Sequence, residues 1–218
     1  MKEIDETRRY YTARAKYYDR TAGYKDLVAE KLRDKMKAKF RRAFRGRRVI
    51  EIACGSGYWT SVLASTACSV LATDIDEGML QLAKRRLSGL KNVHIMKADA
   101  YTLRGVKGPF DGAFAHWWWS HVPKSMLRPF LENLHRRLEP GAYVLFSDHL
   151  ISDKNKKRSN ACGDLIEERI LENGREYHVI KNCPSEAEVH EVLKGIAKNV
   201  RFKEHVEGYW TLNYVRST

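Results

Sequence analysis

The sequence has little of what would commit it to a membrane, a disulfide scaffold or a metal centre. Its four cysteines, Cys54, Cys68, Cys162 and Cys183, are scattered and form no Cys-x-x-Cys pair, so neither a zinc site nor a disulfide framework is indicated. A reducing, cytoplasmic setting is the expectation that follows. No apolar run approaches the ~20 residues that span a bilayer. The first twenty residues are charged and tyrosine-rich, without the apolar core of a signal peptide. Clustered metal ligands are also missing, and Asp148 next to His149 is too little to hold magnesium, so no metal is expected. There is no internal repeat and no linker. A chain of 218 residues is therefore read as one α/β domain, long enough to bury a full core.

Charge is plentiful and lopsided. The formal net charge is +13, and residues 1–48 carry 17 Lys and Arg against 7 Asp and Glu, so most of the excess precedes the first expected strand. Such a segment suits a nucleic-acid or anionic-lipid footprint. It equally suits an amphipathic helix, because Val28, Leu32, Met36, Phe40 and Phe44 recur every four residues and leave the basic side chains on the solvated sides. Both readings stay open.

The organising stretch is Val49 to Thr60, Val-Ile-Glu-Ile-Ala-Cys-Gly-Ser-Gly-Tyr-Trp-Thr. An apolar run ending in glycines reads as a buried strand, and Tyr58 onward reads as a helix, which puts Gly55 and Gly57 in the turn between them. Glycine suits that turn because a side chain would hold a ligand away from the backbone N–H groups. Seventeen positions after Gly57, at the end of the next apolar run, Asp74 stands where a carboxylate can take both hydroxyls of a ribose. Together they suggest a site for an adenosine-containing ligand. A dinucleotide site would want a third glycine where Thr60 stands, with an open helix start where Tyr58 and Trp59 are.

The pattern Glu51-x-Ala53-x-Gly55-x-Gly57 resembles the acidic-x-Gly-x-Gly-x-Gly motif of class I S-adenosylmethionine (SAM)-dependent methyltransferases, with Ala53 in place of the first glycine. The likeness covers roughly Tyr10 to Val215 and is nearest to the small-molecule branch of ubiquinone and menaquinone biosynthesis. It implies SAM as donor, S-adenosylhomocysteine (SAH) as product, and a small-molecule acceptor. By that resemblance Gly55 lies near the methionine moiety with Glu51 behind it. Asp74, Ile75 and Met79 flank ribose and adenine, and Asp99, Ala100 and Tyr101 meet the adenine. The N-terminal Tyr-Tyr-x-x-x-Ala-x-x-Tyr-Asp segment resembles one that folds over the cofactor, which makes Tyr10, Tyr11 and Tyr18 lid candidates. The Asn/Asp-Pro-Pro-Tyr tetrad of exocyclic-amine nucleic-acid methyltransferases is missing, so a nucleic-acid acceptor is the lesser expectation.

The acceptor side is expected where the fourth strand ends, at His116-Trp117-Trp118-Trp119-Ser120-His121, because the carboxyl ends of strands border the ligand crevice of an open α/β sheet. Three neighbouring tryptophans diverge in any backbone conformation, so at least one of Trp117, Trp118 and Trp119 should line a pocket. His116 and His121 are general-base candidates, since an unperturbed imidazole titrates near physiological pH. Asp148 and His149 leave the fifth strand at the same rim, Asp148 as a catalytic and His149 as a substrate-binding candidate. Tyr177 and His178 are assigned to the acceptor from an inserted hairpin.

The alternation along the chain predicts a Rossmann-like seven-stranded sheet, mostly parallel with an antiparallel last strand, and helices on both faces. Residues 1–47 are read as a helical cap, 48–150 as the SAM-binding core, 151–184 as a hairpin cap and 185–218 as a closing helix with two strands. Strands are expected at Arg48–Cys54, Ser69–Ile75, Val93–Lys97, Phe110–His116 and Ala142–Leu150, and later at Val200–Val206 and Tyr209–Val215. A helix is expected over Ser185–Lys198. Asn173-Gly174 predicts a type I′ hairpin turn between Leu165–Leu171 and Glu176–Ile180.

Overall fold

The apolar run before the glycines is a strand covered on both faces, β1 (Arg48–Ile52), with Val49, Ile50 and Ile52 fully buried. A strand buried on both sides needs a near-continuous apolar sequence, and that composition suits the centre of a parallel sheet. The computed structural model describes residues 2–24, 30–150 and 155–217. In it β1 pairs in parallel with both β2 (Ser69–Asp74) and β4 (Phe110–His116). With β3 (Val93–Lys97), β5 (Leu138–His149), β9 (Ala197–His205) and β10 (Tyr209–Arg216) the sheet has seven strands in the order β3-β2-β1-β4-β5-β10-β9. β10 is antiparallel to both neighbours. The short turn between β9 and β10 allows nothing else, since a parallel return needs a long crossover. The expected Rossmann-like, mostly parallel sheet is the observed one.

Alternation along β1 feeds two cores. Val49 faces α3 (Glu30–Ala43) and α4 (Tyr58–Ala64), packing with Met36, Phe40, Phe44, Trp59 and Val62. Ile50 and Ile52 face α6 (Lys124–His135) and α7 (Glu186–Leu193), packing with Phe130, Leu134, Val189 and Leu193. The expected stripe is therefore real from Met36 to Phe44, while Lys31, Lys35, Arg41 and Arg42 are exposed. Val28 lies outside the described residues.

Three expectations need correction. β5 begins at Leu138, ahead of Ala142, because Leu138 pairs with Phe110 across the sheet. α7 ends at Leu193, short of Lys198. Ser185 and Glu188 cap its start reciprocally, but Gly195 turns left-handed and Ala197 already pairs in β9. The hairpin between β7 (Leu165–Ile170) and β8 (Glu176–Ile180) is present, yet its turn is not type I′. Gly174 alone is left-handed, its N–H donates to the Leu171 carbonyl and the Leu171 N–H to the Arg175 carbonyl, which is a three-residue loop with a glycine bulge. A third strand, β6 (Lys157–Ser159), joins β7 from a stretch that shows no periodicity in sequence, being too short and too exposed to show any.

Candidate active site

The carboxyl ends of β1, β2, β3 and β4 surround a cavity of about 240 Å³. Its floor is the β1–α4 loop, where Ala53, Gly55 and Gly57 all have positive φ, at 52°, 56° and 78°. That conformation is comfortable for glycine and costs an L-residue ~1–2 kcal/mol, so Ala53 fits the space of a glycine but carries backbone strain. The two glycines differ in purpose. The nearest atoms to a Cβ on Gly55 would be those of the Tyr18 side chain, at 3.7 Å and beyond, and the residue lines the cavity. A Cβ on Gly57 would lie 2.8 Å from Leu87 Cδ1 and 3.2 Å from Ala83 Cα, so Gly57 lets α4 approach α5 (Glu77–Arg86) and does not line the cavity.

Asp74 ends β2 and holds the loop in place: Oδ2 accepts from the Gly55 N–H at 2.8 Å and Oδ1 from the Asp76 N–H at 2.9 Å. Burial pushes its pKa up, and those N–H donors act in the opposite direction. Each oxygen keeps acceptor capacity toward the cavity that Asp74 lines. Ile75 and Met79 form an apolar wall, and Ala98, Ala100, Tyr101 and Trp118 the opposite side. Glu51 lies behind the floor. Burial pushes its carboxyl up to about 8, and one carboxyl oxygen has no hydrogen-bond partner.

The roof is α1 (Lys2–Arg14), a polar helix tied down at both sides. On one side Tyr10 packs edge-on against Tyr177, the His178 N–H donates to Glu6 and the Ile180 N–H to Thr7. On the other, α1 reaches the ends of three strands: Thr12 donates to Asp76, Arg8 to Asp99 at 2.6 Å, and the Tyr11 hydroxyl bonds His121 at 2.7 Å. Behind α1, Asp19 in α2 (Tyr18–Thr21) accepts from Ser56 and pairs with Arg86, fixing the chain to the glycine loop.

Beyond the first cavity lies a second, of about 560 Å³. Tyr11, Tyr18, His116, Trp117 and His121 line both, so they form the partition through which the two communicate. Trp117 has φ 60°, and this left-handed step after β4 sends the three tryptophans apart. Trp117 stacks on His149, Trp118 packs against Tyr101, and Trp119 turns into the core against Phe146 and Trp210.

The predicted residues thus fall into groups. Tyr11, Tyr18, Ala53, Gly55, Asp74, Ile75, Met79, Ala100, Tyr101, His116, Trp117, Trp118 and His121 come together around the first cavity, and His149 with Trp117 around the second. Tyr10, Tyr177 and His178 line neither and serve to dock α1 on β8. Trp119 lines neither and is core, 1% exposed. Asp99 is behind the wall, engaged by Arg8 and by the Tyr101 N–H. Asp148 is fully buried away from both cavities, taking Lys181 at 3.1 Å and the N–H groups of Ser120 and His149. Burial alone would raise its pKa, but Lys181 beside it holds the carboxyl below the ordinary range.

Burial holds both histidines at the partition in the neutral form. His121 Nδ1 sits 2.7 Å from the Ile180 carbonyl, which can only accept, so Nδ1 carries the proton and Nε2 accepts from the Tyr11 hydroxyl. Burial lowers the pKa of both His121 and His116 to about 3. Both ring nitrogens of His116 are buried without a partner. Residues that sequence reasoning missed include Ile4, Thr7, Arg8, Thr12 and Asp76 in the first cavity and Arg14, Tyr24, Arg33 and Tyr209 in the second. Of these, Asp76 was legible as a helix cap beside Asp74, whereas nothing local marks the others.

Residues 49–141 match the family model described as a methyltransferase domain. The solved DhpI–SAH complex superposes with a TM-score of 0.76 at 28% identity, covering 99% of this chain and 97% of that one. Over residues 49–141 the chain resembles the class I methyltransferases, and over nearly its whole length it shares the DhpI fold. A DhpI–SAM–HEP complex gives a TM-score of 0.77, again at 28% identity. Among curated methyltransferases, the demethylmenaquinone methyltransferase of Clavibacter sepedonicus is 32% identical over 103 residues, 47% of this chain and 41% of that one. The Staphylococcus aureus (strain MRSA252) enzyme of the same name is 26% identical over 144 residues, 65% of this chain and 59% of that one. The chain thus spans about half the length of the curated relatives it matches.

Proposed function

We propose that this methyltransferase moves a methyl group from SAM to a small molecule, leaving SAH. The observation that carries the reading is the pair of adjoining cavities, one floored by Gly55 and Asp74 and the other sharing Tyr11, Trp117 and His121 with it. Asp74 would take the ribose hydroxyls, Ile75 and Met79 the ribose and adenine faces, and Ala100 with Tyr101 the far side of the base. Gly55 would admit the methionine moiety. The DhpI relatives are solved with SAH and with SAM, which supports the donor assignment.

SAM supplies a methyl group already activated by the sulfonium charge. The chain's own contribution is alignment and exclusion of water, which can provide ~7–11 kcal/mol of a transfer barrier. The roof helix α1 excludes water, and the partition sets the line between donor and acceptor. Cavities of this scale suit a small molecule, and we place the reaction in the cytoplasm, where scattered cysteines stay reduced.

Isothermal titration with SAH tests the donor site. Micromolar binding that weakens by ~10-fold or more in Asp74→Ala is expected, because a charged hydrogen bond is worth ~1.5–3 kcal/mol. Undiminished SAH affinity in that variant would remove the ribose assignment.

A further inference from the structure

The second cavity carries an unusual charge. Among the described residues, Arg14, Arg33, Arg169 and Lys181 line it, against a single carboxylate, Glu207. Some of that charge is already balanced: Lys181 Nζ donates to Asp148 and Ser120, and Arg169 Nη2 donates to Glu167 at 3.0 Å. Arg14 is different. Its Nε donates to the Thr21 hydroxyl, its guanidinium lies over the Tyr18 ring at 5.1 Å, and among the described residues no carboxylate stands within ion-pair distance. Arg169 adds a buried Nε with no partner. A guanidinium held by an aromatic face and a hydroxyl, with no counter-charge, is poised for an anion from outside the chain.

Transfer to a neutral alcohol leaves a proton that a base at the partition must take, whereas an amine can carry its proton away as an ammonium ion. His121 has both ring nitrogens engaged, both those of His116 are buried, and Asp148 is bound to Lys181 behind the wall. An acceptor oxygen that arrives already ionised needs none of them.

We propose that the second cavity binds a small organic oxyanion, a carboxylate or a phosphorus oxyacid, through Arg14 and Arg169, and that the methyl group goes to one of its oxygens. The proposal rests on the methyl-transfer reading above and names its acceptor class. An oxygen lone pair forms the new C–O bond as the C–S bond breaks, and that bonding pair returns to sulfur. The oxyanion loses one negative charge, the sulfonium becomes a neutral thioether, and no proton changes hands.

The test uses the full chain with benzoate and phenylphosphonate as probes and benzamide as the neutral control. Binding is titrated with and without SAH, and label from methyl-tritiated SAM is identified by chromatography against authentic methyl benzoate and monomethyl phenylphosphonate. Expected is saturable binding of at least one anion but not of benzamide, weakened ~10-fold or more by Arg14→Gln and largely restored by Arg14→Lys, with SAH affinity unchanged in both variants. Anions that bind no better than benzamide, or as well in Arg14→Gln as in the natural chain, overturn the proposal. So does label transferred to benzamide and to neither anion. Failure of SAH to bind is a separate result: it ends the donor reading and the transfer step, while anion binding to the unloaded chain still scores the Arg14 site.

Discussion

The three left-handed positions of the β1–α4 loop make a sharp prediction, because the same substitution should do different damage at each. In Gly57→Ala the new methyl group keeps φ at 78° and meets Leu87 Cδ1 at 2.8 Å and the Ala83 backbone at 3.2 Å. The left-handed conformation costs ~1–2 kcal/mol and the overpacked contact ~1–3 kcal/mol more, because Ala83 belongs to a helix and cannot swing aside. The total, ~2–5 kcal/mol, is a large share of a domain's stability. In Gly55→Ala the conformational cost is the same, but the nearest atoms to the methyl group are those of the Tyr18 side chain, at 3.7 Å and beyond. Stability should fall by ~1–2 kcal/mol, and the main loss should be SAH affinity, since Gly55 faces the cavity. Ala53→Gly reverses the sign, relieving strain at the cost of chain entropy, for a net gain of at most ~1 kcal/mol. Urea denaturation measures the first quantity and isothermal titration the second. A Gly57→Ala chain as stable as the natural one, or a Gly55→Ala chain that binds SAH unchanged, would refute the division of labour between the two glycines.

The Glu51 carboxyl, raised from 4.5 to about 8 by burial, holds its proton in the folded chain over a range where the unfolded chain has lost it. The folded state binds more protons there, so Glu51 makes stability fall as pH rises from about 4.5 toward 8. Glu51→Gln should be the more stable at pH 8 and nearly equal at pH 4; equal stability at both, by thermal melts, would contradict a neutral buried acid. With benzoate as acceptor, ionised throughout, and with His116 and His121 both near 3 and His149 near 4, the pH profile of kcat/KM should show no limb between about 5.5 and 7. A limb near 6.5 would mean that one of these imidazoles works as a base. Trp119→Ala should cost ~3–5 kcal/mol of stability as a core truncation, whereas Trp117→Ala should leave the denaturation midpoint nearly unchanged and raise the acceptor KM. The reverse pattern in the two variants would undo their assignment.

Much of this molecule is decided locally and was legible. An apolar run closed by glycines can only be a buried strand feeding a turn, and Asp74 ends the next such strand at a spacing that brings it onto that turn. The short return between β9 and β10 forces antiparallel pairing. Periodicity likewise placed Met36, Phe40 and Phe44 in the core. These features depend on neighbours within a few residues or on alternation along one element, and both are written in the order of residues.

Tertiary structure alone decided which of those residues meet. Gly55 and Gly57 look alike in sequence, and only the approach of α5 gives one to packing and the other to the cavity. The tryptophan run had to diverge, but its directions follow from a left-handed step at Trp117 that no propensity marks. Asp148 and His121 have the chemistry of bases, and only the fold brings Lys181 and the Ile180 carbonyl, at the end of the hairpin, against them. Arg14 reads as one more basic residue of a charged helix; folded, it lines a cavity with no carboxylate within ion-pair distance among the described residues. Ionisation and pairing depend on what burial removes and what distant segments bring, and those are properties of the folded chain.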